Sequence, residues 1–208
     1  MKVIAISDTH GYHHQLSLPS GDVLIHAGDV SSRGNKQEVQ DFLQWFSDLN
    51  YEHKIFIAGN HDFFFERADS DMITSIIPDN VIYLNDSGIS IGGFNIWGSP
   101  VTPWFFDWAF NRHRGADIKK HWDLIPQNID ILITHGPVYG VLDRTIHGQR
   151  VGCEVLKDAI DVIKPKVHIC GHIHESYGQV QTMDTLYINA SVLDVRYTLV
   201  NDAVLFEI

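Results

Sequence analysis

Eight residues of this chain have side chains suited to holding or assisting a divalent cation, and they come in short bursts. Asp8 and His10 stand in DTHG, Asp29 in GDV, Asn60 and His61 in GNHD, His135 in HGP, and His172 and His174 in GHIH. Imidazole nitrogen is the commonest ligand for transition ions, and carboxylate and amide oxygens complete a thiolate-free set that suits Mn, Fe, Co, Ni or Zn. Residues two apart at a strand end project to the same side, which pairs Asp8 with His10 and His172 with His174. Seven ligands (Asp8, His10, Asp29, Asn60, His135, His172 and His174) exceed the needs of one transition ion and suit two that share a bridging carboxylate. Such paired ions sit about 3.5–4 Å apart and clamp the attacking and leaving oxygens of an in-line displacement. Phosphate-ester hydrolysis fits that clamp.

The elements that must position these residues are legible just upstream of each burst. Five apolar runs, at 2–7, 22–28, 54–59, 130–134 and 166–171, are rich in β-branched residues and too short for helices. Lacking polar alternation, they read as strands covered on both faces. In α/β sheets ligands bind at the carboxyl ends of the strands, so five such ends bring distant segments to one edge. Between the strands, Val39, Phe42, Leu43, Phe46 and Leu49 fall at helical spacing behind an Asn35–Glu38 capping box. Val155, Leu156, Ile160 and Ile163 repeat the pattern, with Pro165 past the end. Hairpins are predicted around Gly92 and Gly93, near Asp184, and at Asn201 and Asp202. Strand-helix units followed by hairpins imply a mixed α/β architecture with two packed sheets, and 208 residues without a linker or repeat imply one domain over 1–208.

Composition narrows the function. A net charge of −11 argues against sequence-independent binding to nucleic acid, which needs a basic surface. No run approaches the ~18 apolar residues of a membrane span, and the opening MKVIAISDTHG is too short in apolar residues for a signal peptide, so a cytoplasmic protein is expected. Cys153 and Cys170 lack metal-type spacing and read as small core residues. Oligomeric state is left open.

The ordered series D-x-H, G-D, G-N-H-D, H-G and G-H-x-H resembles the calcineurin-like metallophosphoesterases over most of the chain. Within them, GSPVTPWFFDWAFNRHRG followed by DILITHGPVYGVLD resembles the metallophosphoesterase-domain-containing group, with Val138 where that group has a second proline and Asp62 where glutamate is common. The resemblance implies a four-layer α/β/β/α sandwich of two mixed sheets. It also implies one ion held by Asp8, His10, Asp29 and His174 and a second by Asp29, Asn60, His135 and His172, with Asp29 bridging. His61 and Asp62 are then the catalytic residues, His61 acting beside the ions and Asp62 orienting it or capping the segment that follows. Phe63 to Phe65 anchor that loop in the core. The implied activity is attack of a metal-bound hydroxide on a small phosphate ester, a phosphodiester and a cyclic nucleotide by preference.

Other readings compete with this one. Arg33, in GDVSSRG, partly resembles the phosphate-holding arginine of serine/threonine protein phosphatases, although Ser32 stands where those have aspartate; a protein phosphatase or phosphomonoesterase is therefore the alternative activity. A non-catalytic scaffold of the same fold is disfavoured because no ligand position is degraded. In the aromatic segment 104–115, Trp104 or Trp108 would stack a nucleobase and Arg112 or Arg114 hold phosphate, against a packed loop that fills a gap between layers. His26 and His168 lie inside strand patterns and read as satisfied core groups, whereas His13, His14 and His113 read as solvated loop residues.

Overall fold

Neighbouring residues of the buried strands face different cores, and that alternation builds the layers. The computed structural model describes residues 1–208. Along the chain lie β1 (Lys2–Ile6), β2 (Val23–Ala27), α1 (Lys36–Asp48), β3 (His53–Ile57), α2 (Phe63–Arg67), α3 (Ser70–Ile76), β4 (Ile82–Tyr83), β5 (Ser87–Ile91) and β6 (Phe94–Ser99). They are followed by β7 (Thr102–Pro103), β8 (Asn111–Arg112), α4 (Ala116–Trp122), β9 (Ile131–Thr134), α5 (Glu154–Ile163), β10 (Val167–Cys170), β11 (Gly178–Gln181), β12 (Leu186–Asn189) and β13 (Val204–Glu207). A five-stranded sheet runs β13-β1-β2-β3-β4 and a six-stranded sheet β11-β12-β10-β9-β6-β5, while β7 and β8 form a separate ribbon. Each large sheet is mixed: parallel pairs at the centre, with antiparallel β13, β11 and β5 at the edges.

The three hydrophobic clusters are the three interfaces of a four-layer α/β/β/α sandwich. Val3, Ala5, Val23, Ile25, Ile55 and Ile57 meet Ile96, Ile131, Ile133, Val167, Ile169 and Ile188 between the sheets. The alternate residues Ile4, Ile6, Leu24 and Phe56 pack outward on Val39, Phe42, Leu43 and Phe46 of α1. On the other side, Leu132 and Tyr187 cover Ile118 and Trp122 of α4 and Leu156 and Ile160 of α5. Burial of this apolar surface, at roughly 25 cal/mol per Å², fixes which way each strand faces and therefore which residues its end delivers. No helix is long and apolar enough to cross a membrane.

Several local expectations need correction. Asn35 does cap α1, accepting from Glu38 N–H at 3.0 Å, but the Glu38 carboxylate accepts from Arg33 N–H at 2.8 Å, so the box is closed from two residues further back. The hairpins at Gly92–Gly93 and near Asp184 form, whereas the third does not. The Asp194 carboxylate instead accepts the N–H groups of Arg196 and Thr198 at 2.8 and 2.9 Å and turns the chain there, leaving β13 to pair with the open edge of β1. Phe65 is buried, but Phe63 and Phe64 are only half-buried.

Candidate metal centre

At the carboxyl ends of β1, β2, β3, β9 and β10 the two sheets converge, and backbone hydrogen bonds run from Ser7 to Ala190 and from Gly171 to His135. The loops leaving these strands are tight: Asp8, His10, Asp29 and His172 all have left-handed backbone, with φ of 55°, 42°, 56° and 68°. Such conformations cost on the order of 1–3 kcal/mol each for non-glycine residues and persist only where the surroundings over-determine them. Here they aim side chains inward. Two glycines are required by crowding: a Cβ on Gly59 would overlap the Asp29 carboxylate, and one on Gly171 would overlap Asp8.

The ligand atoms converge in two groups. Asp8, His10 and His174 make one, Asp29, His135 and His172 another, and Asp29 also falls in a set with His10 and His61. His135 Nε2 lies 3.3 Å from Asp29 Oδ2 and 2.9 Å from Asn60 Oδ1, while His10 Nε2 lies 3.6 Å from Asp29 Oδ2. His174 Nε2 is 3.4 Å from Asp8 Oδ1 and 3.4 Å from His10 Nε2. Asp29 therefore stands between the groups. All seven expected ligands meet in one place.

The surroundings set the ring tautomers. His135 Nδ1 donates to the Ala27 carbonyl at 2.9 Å, His174 Nδ1 to that of Asp194 at 2.9 Å, and His10 Nδ1 to that of Ser31 at 3.3 Å. A carbonyl only accepts, so each Nδ1 carries a proton and Nε2 is the atom turned inward, free to offer a lone pair to an ion once any second proton has left, the arrangement that orients metal-binding histidines. Lone pairs on His10 and His174 facing one another in a buried space repel unless positive charge lies between them. Burial opposes protonation of His174 and of His135, yet Asp8 raises the first and Asp29 the second to about 9, while desolvation takes His10 down to about 4 and His172 to about 3. Without ions, protons occupy the positions that suit cations. The donor set, the inward lone pairs and the two buried carboxylates all fit divalent metal.

His61 lies beside this cluster, partly accessible. Its N–H donates to Asp29 Oδ1 at 2.7 Å, its Nδ1 donates to the Ser32 carbonyl at 2.9 Å, and Trp108 stacks on its ring at 4.2 Å and 27°. Nε2 is left free.

The other site candidates are corrected by position. Asp62 neither contacts His61 nor caps α2 with its side chain; its buried carboxylate accepts from Val30 N–H, Ser31 N–H, Ser31 Oγ–H and Gly59 N–H, tying the second loop to the third. Four donors fit those oxygens better than an imidazole does. Desolvation and Asp29 nevertheless raise its pKa to about 6. Arg112 is turned away: its Nε donates to His121 Nε2 at 3.1 Å, and His121 in turn donates to Asp86 at 2.6 Å. Arg33 is exposed and its guanidinium makes no hydrogen bond or ion pair. Trp108 spends a ring face on His61 and Trp104, half-exposed, stacks on His113 at 5.7 Å, so the most exposed aromatic of that segment is Phe106. His26 holds Thr9 and the Gly28 N–H, and His168 holds Thr134 but leaves its Nδ1 unpartnered. His13 is buried rather than solvated.

Sequence reasoning missed Tyr197, whose ring stands 4.8 Å from that of His10 and 5.4 Å from that of His174. It missed Ser191 as well, whose hydroxyl donates to Asp8 Oδ2 at 2.7 Å. Neither sits in a recognisable motif, and only the convergence of the sheets brings them in.

The profile of the calcineurin-like phosphoesterases matches residues 1–176. The chain belongs to that family. It is 41% identical to Metallophosphoesterase domain-containing protein 1 of Homo sapiens and of Mus musculus, over all of this chain and 71% of theirs. A phosphopantetheinyl hydrolase from Mycobacterium tuberculosis shares the fold at 15% identity, with a TM-score of 0.60 over 94% of this chain and 90% of that one. Its family and the clustered ligands make the protein a metal-dependent phosphoesterase. In this phosphoesterase the left-handed loops, the carbonyl-fixed imidazoles and the Trp108 stack are devices that set ligand atoms in advance of any substrate.

Proposed function

We propose that this phosphoesterase hydrolyses phosphodiesters, cyclic nucleotides among them, at a centre of two divalent ions. Asp8, His10, Asp29 and His174 would hold one ion, and Asp29, Asn60, His135 and His172 the other. The observation that carries the reading is the place of Asp29, whose carboxylate reaches both groups of ligands while its Oδ1 accepts the N–H of His61. Bound there, the ions would supply Lewis acidity, acidifying water and neutralising phosphoryl charge.

The chain's own residues do the rest. With Nδ1–H committed to Ser32, Nε2 is the ring atom left to act, and only the doubly protonated imidazolium of His61 can donate from it to a phosphoryl oxygen or protonate the departing oxygen. Trp108 keeps the ring from rotating away, because a misplacement of about 1 Å costs on the order of 100-fold in rate. A cavity of about 320 Å³ beside His172, lined by Pro103, Trp104, Phe105 and Pro137, gives an apolar substituent of the phosphate somewhere to go. The one arginine that lines this cavity, Arg114, has its guanidinium committed to Glu154 and to the carbonyls of Val151 and Gly152. A monoester dianion gains most from bidentate guanidinium, so this favours the singly charged diester over the phosphoserine reading.

The test is a matrix of Mn, Ni, Fe and Zn against cyclic nucleotides, a plain aryl diester, an aryl monoester and a phosphopeptide. Diester turnover at least tenfold above monoester turnover with some metal is expected. Faster phosphopeptide or monoester hydrolysis would move the protein to the alternative activity, and no turnover with any metal would leave a scaffold.

A further inference from the structure

Outside the central set, three side chains converge where the turn His13–Gln15 meets α1. His13 Nε2 and His14 Nε2 each lie 3.1 Å from the same oxygen, Asp41 Oδ2, and the two rings sit 4.5 Å apart. We propose that His13, His14 and Asp41 bind a further divalent ion of the zinc or nickel kind.

Two imidazoles and a carboxylate form a borderline donor set of the type such ions select. In a tetrahedral site with bonds of about 2.0–2.1 Å, neighbouring ligand atoms stand roughly 3.3 Å apart, close to the spacing of both nitrogens from Asp41. All three ligand atoms lie within 4.8 Å of one another. His13 is immobilised by burial among Phe42 and Trp45, so one ligand is set in advance, while His14 and Asp41 face water and leave room for a solvent ligand. With Nε2–H given to Asp41, His13 Nδ1 stays buried without a partner, an omission worth about 1–3 kcal/mol. An ion on Nε2 would leave that same Nδ1 unpartnered and create no second orphan. Burial also takes His13 down to about 4, against the pull of Asp41, which keeps the ring neutral and able to ligate at pH 7.

The location gives the ion a role. His13 follows the loop that carries Asp8 and His10, and α1 follows the loop that carries Asp29. An ion here staples those two loops from outside, without touching substrate.

The experiment counts zinc. The full-length chain, stripped with chelator, is dialysed against Zn2+ and analysed for metal per chain, alongside His14→Ala and Asp41→Ala, both at exposed positions. Wild type is expected to bind one equivalent more than either variant, or the extra equivalent in the variants to weaken by about 100-fold, since even an indirect partner of a ligand is worth ~10–100-fold. Phosphoesterase turnover with saturating Mn2+ should stay within twofold of wild type in both. Because the readout is a difference, it holds whatever number of ions the central site takes. Equal zinc number and affinity in wild type and variants would overturn the proposal and leave a hydrogen-bonded pair of histidines.

Discussion

The two groups of candidate ligands, a first half with Asp8 and a second half with His135, use the same chemistry on different supports. His135, in the second half, is fully buried and hangs its Nδ1 on Ala27, the last residue of a core strand. His174, in the first half, hangs on the carbonyl of Asp194, in the turn that replaces the expected hairpin and carries Tyr197 over the site. One half is thus held by the sheet and the other by a loop. The rigid elements that define a fold do not extend equally to every ligand, and loops are where opening is least costly.

Removing the shared ligand tests both halves at once: Asp29→Asn should lower turnover by at least about 1,000-fold and reduce bound metal below that of any single-half variant. If one full-affinity ion survived, Asp29 would belong to one half only. His61→Ala should cost ~100–1,000-fold in kcat while bound metal, measured by elemental analysis, stays unchanged, because the ring serves substrate rather than either half. The comparison itself is sharpened by Asp194→Ala, which loosens the turn; one ion should weaken ~10–100-fold while the other holds. Equal weakening of both would erase the difference between the halves. Asp62→Asn places a donor against two N–H groups and should cost about 1–3 kcal/mol in chemical denaturation, with metal stoichiometry preserved.

The smallest effect concerns acidity, and it distinguishes the ion-free from the loaded protein. Each half has a buried histidine on the threonine next to a ligand: His26 on Thr9, and His168 on Thr134. Desolvation lowers both to about 3, so the unfolded chain binds more protons below pH 6.5, and stability falls as pH drops from 6.5 toward 3. His135 and His174, raised to about 9, act in the opposite sense. Their contribution is complete below pH 6.5 and is lost as pH rises through 9. Denaturant midpoints of the metal-free protein should therefore peak near pH 6.5. Saturating metal should remove the alkaline limb and leave the acid one.

How much was legible in advance differs by region for a physical reason. The five strands and their ligand-bearing ends could be read because a run such as Val23–Ala27, covered on both faces, must be apolar throughout, and because Asp29 and Asn60 have no structural reason to follow such runs. Asp62 was assigned a catalytic part because adjacency to His61 cannot reveal that its carboxylate faces backward onto the second loop. Arg112 was misplaced likewise, since its partner His121 is delivered by α4, packed in a different layer.

The sequence by itself determined the donor chemistry, the order of the strands that carry it and the family, because these depend on residue type and local apolar pattern. Tertiary structure alone decided that Asp29 lies between two groups of ligands, that Trp108 lies on His61, that Tyr197 covers the first half and that His13 meets Asp41. Those facts depend on two sheets packing face to face with their strand ends converging and on helices packing over them, contacts between residues far apart in the chain whose geometry no local pattern contains.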